Sequence, residues 1–271
     1  MRKWTNKLLK IAESVREEIK PFLSSVKNAN GEKVEEIAKE IDEIAERKII
    51  EEVEKLKIPC VLLTEEYGLT EFGSNPKIYV VADPIDGTTN AVRGVPYSAI
   101  SIAISEKPDL SGLIAGVVLN LFTGDKYTAE KGLGAYKNGK RIRVSNIKEL
   151  KHALVTVDLS KTETNTTWIG KISQKVSAIR CLGSAALELC HLASGETDIH
   201  IDIRGRIRPI DVAAGIIIVW EAGGKTLIKG KITENSSIKP KEKLKIIAAA
   251  NETLIKEIIK EPEIKNILEK W

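Results

Sequence analysis

The segment Asp83-Pro84-Ile85-Asp86-Gly87-Thr88-Thr89-Asn90 places two carboxylates directly behind the apolar run Ile78-Tyr79-Val80-Val81-Ala82. The glycine and two threonines that follow are residue types that turn a chain into a helix start. Such a junction can hold a divalent cation and a phosphate together: a hard cation such as Mg²⁺ takes carboxylate oxygens, and the free N–H groups of a helix start donate to phosphate oxygens. Pro84 fixes the backbone between the acids, so the Ile85 carbonyl can act as an uncharged oxygen ligand while its side chain packs inward. Taken alone, Asp-x-x-Asp-Gly fits a capped helix after a surface turn equally well.

Other acids change those odds. Glu65-Glu66 ends the run Val61-Leu62-Leu63-Thr64, Asp42 falls inside the apolar arc of Val34, Ala38, Ala45, Ile49 and Leu56, and Asp211 opens Ile210-Asp211-Val212-Ala213-Ala214-Gly215. A carboxylate beside a buried stripe must find a cation or a donor to offset its desolvation; the bland alternative for Asp42 is a boundary acid paired with a lysine. His152, His191 and His200 lie outside these motifs and read as structural, with His191 and Cys190 as helix-packing residues. A P-loop is excluded, because Val219 stands where Gly224-Lys225-Thr226 would need a preceding glycine. Gly223-Gly224 fits a helix stop instead.

The elements that must position these residues are legible from periodicity. Leu8, Ile11, Ala12, Val15, Ile19 and Phe22 recur at helical spacing and predict an amphipathic helix ending near Pro21. A second helix is expected from Val34 to Leu56. Short apolar runs predict strands at 61–64, 78–82, 98–104, 113–119 and 125–128, and Asn138-Gly139 predicts a tight hairpin turn. Further on, strands at 154–157, 178–182, 199–201 and 245–250 alternate with helices at 184–193 and 210–221, before a closing helix over 253–268. The polar stretch Thr233 to Lys243 reads as a surface loop. A soft boundary near residues 145–150 divides an α+β half, 1–147, from an α/β half, 148–271.

Composition narrows the function classes. The 42 basic and 38 acidic residues alternate along helical faces and leave a formal charge of +4, so nucleic acid is not implied. No stretch approaches 18 uncharged apolar residues, and the basic N-terminus leads into no apolar core, so neither membrane spanning nor secretion is expected. Cys60, Cys181 and Cys190 lack CxxC spacing and read as free buried thiols of a cytoplasmic protein. Abundant Lys, Glu and Ile with a single Met point to a thermophilic source.

Thr64-Glu65-Glu66, Asp83 to Asn90, and Asp211-Val212-Ala213-Ala214-Gly215 with Glu221-Ala222-Gly223-Gly224 together resemble the inositol monophosphatase family of the lithium-sensitive sugar phosphatase superfamily, over nearly the whole chain. The resemblance implies a layered αβαβα sandwich, a small-molecule phosphate ester as substrate, and a homodimer. It also implies two or three Mg²⁺ ions, replaceable by Mn²⁺, driving in-line hydrolysis by water without a phosphoenzyme. By resemblance, Glu65, Asp83, the Ile85 carbonyl, Asp86 and Asp211 bind metal. Asp42 and Thr88, with Glu65, handle the attacking water, and Asp86, Gly87 and Thr88 meet the phosphate. Arg180-Cys181-Leu182-Gly183-Ser184-Ala185-Ala186 and Asp202-Ile203-Arg204 look most like archaeal dual fructose-1,6-bisphosphatase/inositol-1-monophosphatases, which implies that Arg180, Ala185 and Arg204 contact substrate. Pro209-Ile210 departs from the Trp-containing turn of the animal enzymes and leaves sugar preference open. Two alternatives remain: a 3′-phosphoadenosine 5′-phosphate phosphatase, for which no adenine pocket is visible with 4% aromatics, and a noncatalytic regulator retaining the fold.

Overall fold

Two long amphipathic helices lead the chain in the computed structural model, which describes residues 3–25, 32–163, 166–228 and 235–270. Helix α1 (Lys3–Ser25) buries Leu8, Ile11, Ala12, Val15 and Ile19 almost completely. Each such aliphatic contributes ~1.5–3 kcal/mol by leaving water. The helix does not end near Pro21 but passes through it to Ser25; the backbone bond lost at proline is offset by Phe22, which with Leu23 packs on the same core. Helix α2 (Glu32–Lys55) buries the line Ile41, Ala45, Ile49 and Val53, while Ala38, Asp42 and Leu56 lie half-buried beside it. The side chain of Val34 lies outside the described residues. Asp42 therefore borders the buried stripe instead of interrupting it.

The first sheet has eight strands: β1 (Cys60–Leu63), β2 (Leu69–Phe72), β3 (Ile78–Asp86), β4 (Ala99–Ser105), β5 (Leu113–Asn120), β6 (Lys126–Glu130), β7 (Gly134–Lys137) and β8 (Lys140–Ile142), in the order β2-β1-β3-β4-β5-β6-β7-β8. All neighbours are antiparallel except the β1–β3 pair. Asn138 and Gly139 both have positive φ, which gives the β7–β8 turn the twist that a two-residue hairpin requires. Strand β3 runs further than its apolar pattern, through the acids themselves. Asp83 pairs with Ser101 and Asp86 with Ala99, so the interval holds one extra residue, a β-bulge.

The second sheet, β10-β9-β11-β13-β12, is built from β9 (Leu154–Val157), β10 (Ala178–Arg180), β11 (Ile199–Ile207), β12 (Lys225–Ile228) and β13 (Leu244–Ala249). Helix α3 (Thr88–Arg93) follows β3 and packs its Ala91 and Val92 into the core of α1 and α2, while α4 (Thr167–Ser173), α5 (Ala185–Ala193), α6 (Pro209–Glu221), α7 (Glu252–Ile258) and α8 (Pro262–Glu269) lie around the second sheet. The single closing helix expected over 253–268 is two helices, because Pro262 lacks the N–H to continue the first and opens the second. The 233–243 segment is not simply a surface loop: Ile238 is buried in the central core and Ser237 bridges to Asp109. Thr233 and Glu234 lie outside the described residues.

Alternation along the strands produces the layers. Leu62, Val80, Ile100, Ile102 and Val117 join α1 and α2 in one core, while Val61, Val81, Ala103 and Val118 face α5 and α6 in another. That second core also takes Ile228, Ile246 and Ala248 from the second sheet, whose opposite face packs Val155, Ile201 and Ile247 on α4, α7 and α8. The order is helix, sheet, helix, sheet, helix, a mixed α/β sandwich. Buried between two sheets, α6 is apolar nearly all round, and Gly116 lets it close on β5: a Cβ there would stand 2.6 Å from Ile217 Cγ2. The N-terminus of α6 is thereby held against the first sheet, which carries Asp211 to the bulge of β3.

Candidate active site

The bulge ends at Gly87, whose φ of 85° lies in the left-handed region. A Cβ at this position would come within 2.9 Å of the Gly183 carbonyl oxygen and 3.1 Å of that of Tyr97. Glycine therefore lets the β3–α3 turn lie against the loop leading into α5. Asn90 locks this approach by donating to the carbonyls of Tyr97 and Leu182, each at 2.8 Å. Across the contact, Asp86 Oδ2 accepts from Ser184 Oγ at 2.5 Å and from the Ala186 N–H at 2.7 Å. Asp83 Oδ1 accepts the Ile85 N–H at 3.0 Å, which shapes the bulge.

Thr88 Oγ lies 3.0 Å from the Ile85 carbonyl oxygen and 3.3 Å from Asp42 Oδ1, so its single proton can serve either acceptor. Glu65 reaches the site on a turn organised from α2: the buried Glu46 carboxylate accepts the N–H groups of Glu66 at 3.1 Å and Tyr67 at 2.8 Å. Asp211 is the third residue of α6 and accepts the Arg208 N–H at 2.7 Å. The Arg208 guanidinium also bonds Asp211 Oδ1 at 2.8 Å and Glu65 Oε2 at 2.8 Å, tying together two acids from different halves of the chain.

Asp42, Glu65, Asp83, Ile85, Asp86, Thr88, Arg208 and Asp211 line one cavity of about 550 Å³ with Gly87, Thr89, Asn90, Asp158, Ser160, Lys161, Ala185 and Arg204. Its wall carries Asp42, Glu65, Asp83, Asp86, Asp158 and Asp211 against Lys161, Arg204 and Arg208, six carboxylates to three cations. Burial, then Glu65, pushes the Asp42 carboxyl up to about 7. Burial does the same to Asp86, also to about 7, against the hydrogen bond from Ser184. Asp83 is raised well above the carboxylate range by burial and by Asp211 and Asp86, and Asp211 is raised by burial in spite of Arg208. Such a set is short of positive charge, and hard oxygen donors of this kind fit Mg²⁺. Among the described residues no three potential ligands already surround one metal-sized space.

The structure thus brings together Asp42, Glu65, Asp83, Ile85, Asp86, Gly87, Thr88, Ala185, Arg204 and Asp211. It does not bring Arg180 there: that side chain is exposed, outside the cavity wall, and its Nη1 donates to the Ile179 carbonyl at 2.9 Å. Arg204 lines the cavity with most of its donors committed. Nε donates to Asp202 at 2.9 Å, Nη2 to Asp202 at 2.5 Å and to Asp158 at 2.8 Å, and Nη1 to the Ser160 carbonyl at 2.7 Å. Glu221 of the C-terminal motif lies away from the cavity and accepts the N–H groups of Gly132 and Gly134. Cys181 is exposed, unlike the buried Cys60 and Cys190, because it falls in the loop after β10.

Sequence reasoning missed Arg208, Ser184, Glu46 and the Asp158–Lys161 loop. A cation three positions before Asp211, and a hydroxyl at the start of a helix, were the available signals for the first two. The histidines stay outside the cavity: His200 is buried beside Glu188 and Thr156, and His191 stacks on Tyr97.

The model of the inositol monophosphatase family matches residues 2–264. The fructose-1,6-bisphosphatase/inositol-1-monophosphatase of Methanothermobacter thermautotrophicus is 32% identical over 275 residues, covering 96% of this chain and 97% of that protein. The bifunctional NADP phosphatase/NAD kinase of Methanococcus maripaludis is 33% identical over 272 residues, covering 93% of this chain but 48% of that longer protein. Among solved structures, a Pyrococcus horikoshii protein described as having similarities for inositol-1 monophosphatase superposes with a TM-score of 0.81 at 31% identity, covering 97% of this chain and 99% of that one. A family match of this extent, together with relatives of this identity and coverage, means that the protein belongs to the inositol monophosphatase family and is a phosphoric monoester hydrolase.

Proposed function

We propose that the chain is a Mg²⁺-dependent phosphomonoesterase acting on fructose 1,6-bisphosphate and inositol 1-phosphate. The observation that carries this reading is the convergence of Asp83, Asp86 and Asp211, all pushed toward protonation by burial, on one cavity at the turn that opens α3. Glu65, Asp83, the Ile85 carbonyl, Asp86 and Asp211 would hold the metal. When bound, it supplies Lewis acidity to the phosphate and lowers the pKa of water.

The remaining roles belong to the chain itself. Asp42, with its pKa near 7 and Thr88 beside it, orients a water and takes its proton. The first N–H groups of α3 have no acceptor within that helix and would donate to the oxygens of a bound phosphate. At six residues, α3 contributes directed hydrogen bonds more than a macrodipole. Ser184 and the Ala186 N–H keep Asp86 oriented. Phosphate release measured in Mg²⁺, after EDTA, and after Mg²⁺ is restored tests the reading. Activity that survives EDTA, or a trapped phosphoenzyme, refutes it.

A second reading, hydrolysis of a nucleotide phosphate, is favoured by the name of the Methanococcus relative. Among the described residues the cavity wall holds no aromatic side chain on which a base could stack, which favours the sugar esters. A panel of sugar, inositol and nucleotide phosphates separates the two. The same family reading carries a homodimer and a cytoplasmic location as proposals, open to light scattering and cell fractionation; among the described residues no helix is long and apolar enough to cross a membrane.

A further inference from the structure

Behind the loop that holds Asp86 lies a buried polar cluster that the chemistry of the cavity leaves unused. Glu188 of α5, His200 of β11 and Thr156 of β9 are all completely buried. Glu188 Oε2 lies 3.2 Å from His200 Nδ1, and the same ring nitrogen lies 3.0 Å from Thr156 Oγ. Thr156 and His200 are partners across β9 and β11, so the second sheet presents the imidazole to α5. The other ring nitrogen, His200 Nε2, is buried and finds no hydrogen-bond partner among the described residues. A carboxylate and an imidazole enclosed in an apolar core carry a desolvation cost that an apolar pair of similar volume would avoid. Packing of α5 alone does not account for them, since the core around it is otherwise built of residues such as Leu187, Leu189, Leu192 and Ala248.

What Glu188 does reach is the loop in front of its own helix. Its Oε1 accepts the Leu182 N–H at 3.0 Å. From the other side, Asn90 of α3 donates to the Leu182 carbonyl at 2.8 Å, so both backbone polar groups of Leu182 are fixed, one from each half of the chain. Gly183 and Ser184 follow directly. The Gly183 carbonyl is the group against which Gly87 closes, and Ser184 Oγ donates to Asp86 Oδ2 at 2.5 Å. A loop displacement of about 1 Å would break that hydrogen bond, because such bonds weaken steeply beyond their normal length. The chain of contacts runs from Thr156 and His200 through Glu188, Leu182 and Ser184 to Asp86.

We propose that Glu188, itself held by His200, is a positioning residue of the active site: by fixing Leu182 it sets Ser184, and through Ser184 it sets Asp86, in the geometry that a metal requires. The proposal rests on the metal-dependent reading of the cavity. The double substitution Glu188→Met with His200→Phe replaces the buried polar pair by apolar groups of similar volume, so thermal unfolding in EDTA occurs within about 5 °C of the wild type or later. Calorimetric titration with Mg²⁺ alone then shows binding weakened by roughly 10-fold or more, the effect of losing the support behind a ligand. Phosphate release from inositol 1-phosphate needs correspondingly more Mg²⁺ and recovers when it is supplied. Glu188→Gln keeps an oxygen acceptor for Leu182 and restores Mg²⁺ affinity to within about 3-fold of the wild type, since the supporting hydrogen bond survives. A pair that serves the fold alone lowers the unfolding temperature and leaves the Mg²⁺ affinity of the folded protein untouched. That result overturns the proposal, as does a Gln variant that binds Mg²⁺ as weakly as the double variant. If the double variant does not fold, amide exchange in the wild-type chain decides: held by Glu188, the Leu182 N–H exchanges slowly in EDTA, and protection that appears only after Mg²⁺ is added overturns the proposal. Wild-type protein that takes up no Mg²⁺ overturns the metal-dependent reading and the positioning role with it.

Discussion

Arg208 offers a test in which stability, not turnover, reports on the proposed metal site. Its guanidinium bonds Asp211 and Glu65, and burial of these groups is unequal: the side chain of Asp211 is 13% exposed, that of Arg208 22% and that of Glu65 42%. Replacing Arg208 by Met keeps the apolar stem and removes the charge. Breaking a buried pair by deleting one partner costs ~3–5 kcal/mol, and exposed pairs are worth ~0–1 kcal/mol. Partial exposure and the open Glu65 side put the expected loss for Arg208→Met at ~2–4 kcal/mol in the metal-free protein. For a chain of this size each kcal/mol moves Tm by ~2–4 °C, so thermal unfolding in EDTA should occur ~5–15 °C earlier than in the wild type. Saturating Mg²⁺ should recover much of the difference, because the cation neutralises the acids that Arg208 had held, and calorimetric titration should show tighter Mg²⁺ binding to the variant. An equal fall in Tm with and without Mg²⁺ would make Arg208 a plain structural ion pair. No fall in EDTA would refute the claim that Asp211 depends on it.

Two further outcomes follow from the same geometry. Asp86→Asn keeps the shape that Ser184 and Ala186 recognise but removes a ligand charge, and should lower kcat by on the order of 10³ or more in a folded protein; near-normal turnover sinks the metal assignment. Asp42 has a folded pKa of about 7 against an ordinary value of 3.8, so in metal-free protein the folded state keeps a proton that the unfolded chain loses first. Its contribution to stability is full below about 3.8 and is lost as pH rises toward 7, so Tm in EDTA should decline over that window more steeply in the wild type than in Asp42→Asn. Identical slopes contradict the raised pKa, and an equal loss of Mg²⁺ affinity and turnover in the variant would make Asp42 a ligand instead of a base.

Much of the site was visible in the order of residues because its chemistry is local. Asp83, Ile85, Asp86, Gly87 and Thr88 are contiguous, and a strand that turns into a helix presents them together wherever that turn forms. Apolar periodicity located the long helices and most central strands for the same reason: burial of one face is written into spacing. The boundaries at Pro21, Asp83 and Pro262 went astray, since in each case a local rule competed with packing or with a bulge. Helix α1 passes its proline because the residues beyond it have a core to meet. Strand β3 runs through its acids because an extra residue lets pairing with β4 resume.

What only the tertiary structure decided is which distant groups face those acids. Arg208 meets Glu65 across 143 positions, and Ser184 meets Asp86 across 98. Neither spacing has a period, and each depends on α5 and α6 being clamped between two sheets. The two arginines nominated from sequence show the point most sharply. Both Arg180 and Arg204 lie on strands of the second sheet, yet Arg180 ends the edge strand and turns to solvent, while Arg204, on β11, reaches the cavity and is consumed there by Asp158 and Asp202. Residue type and local spacing determined what the central turn can bind. Strand order and the packing of α6 determined which charges surround it, because electrostatic partners are selected by distance in space, to which separation along the chain is no guide.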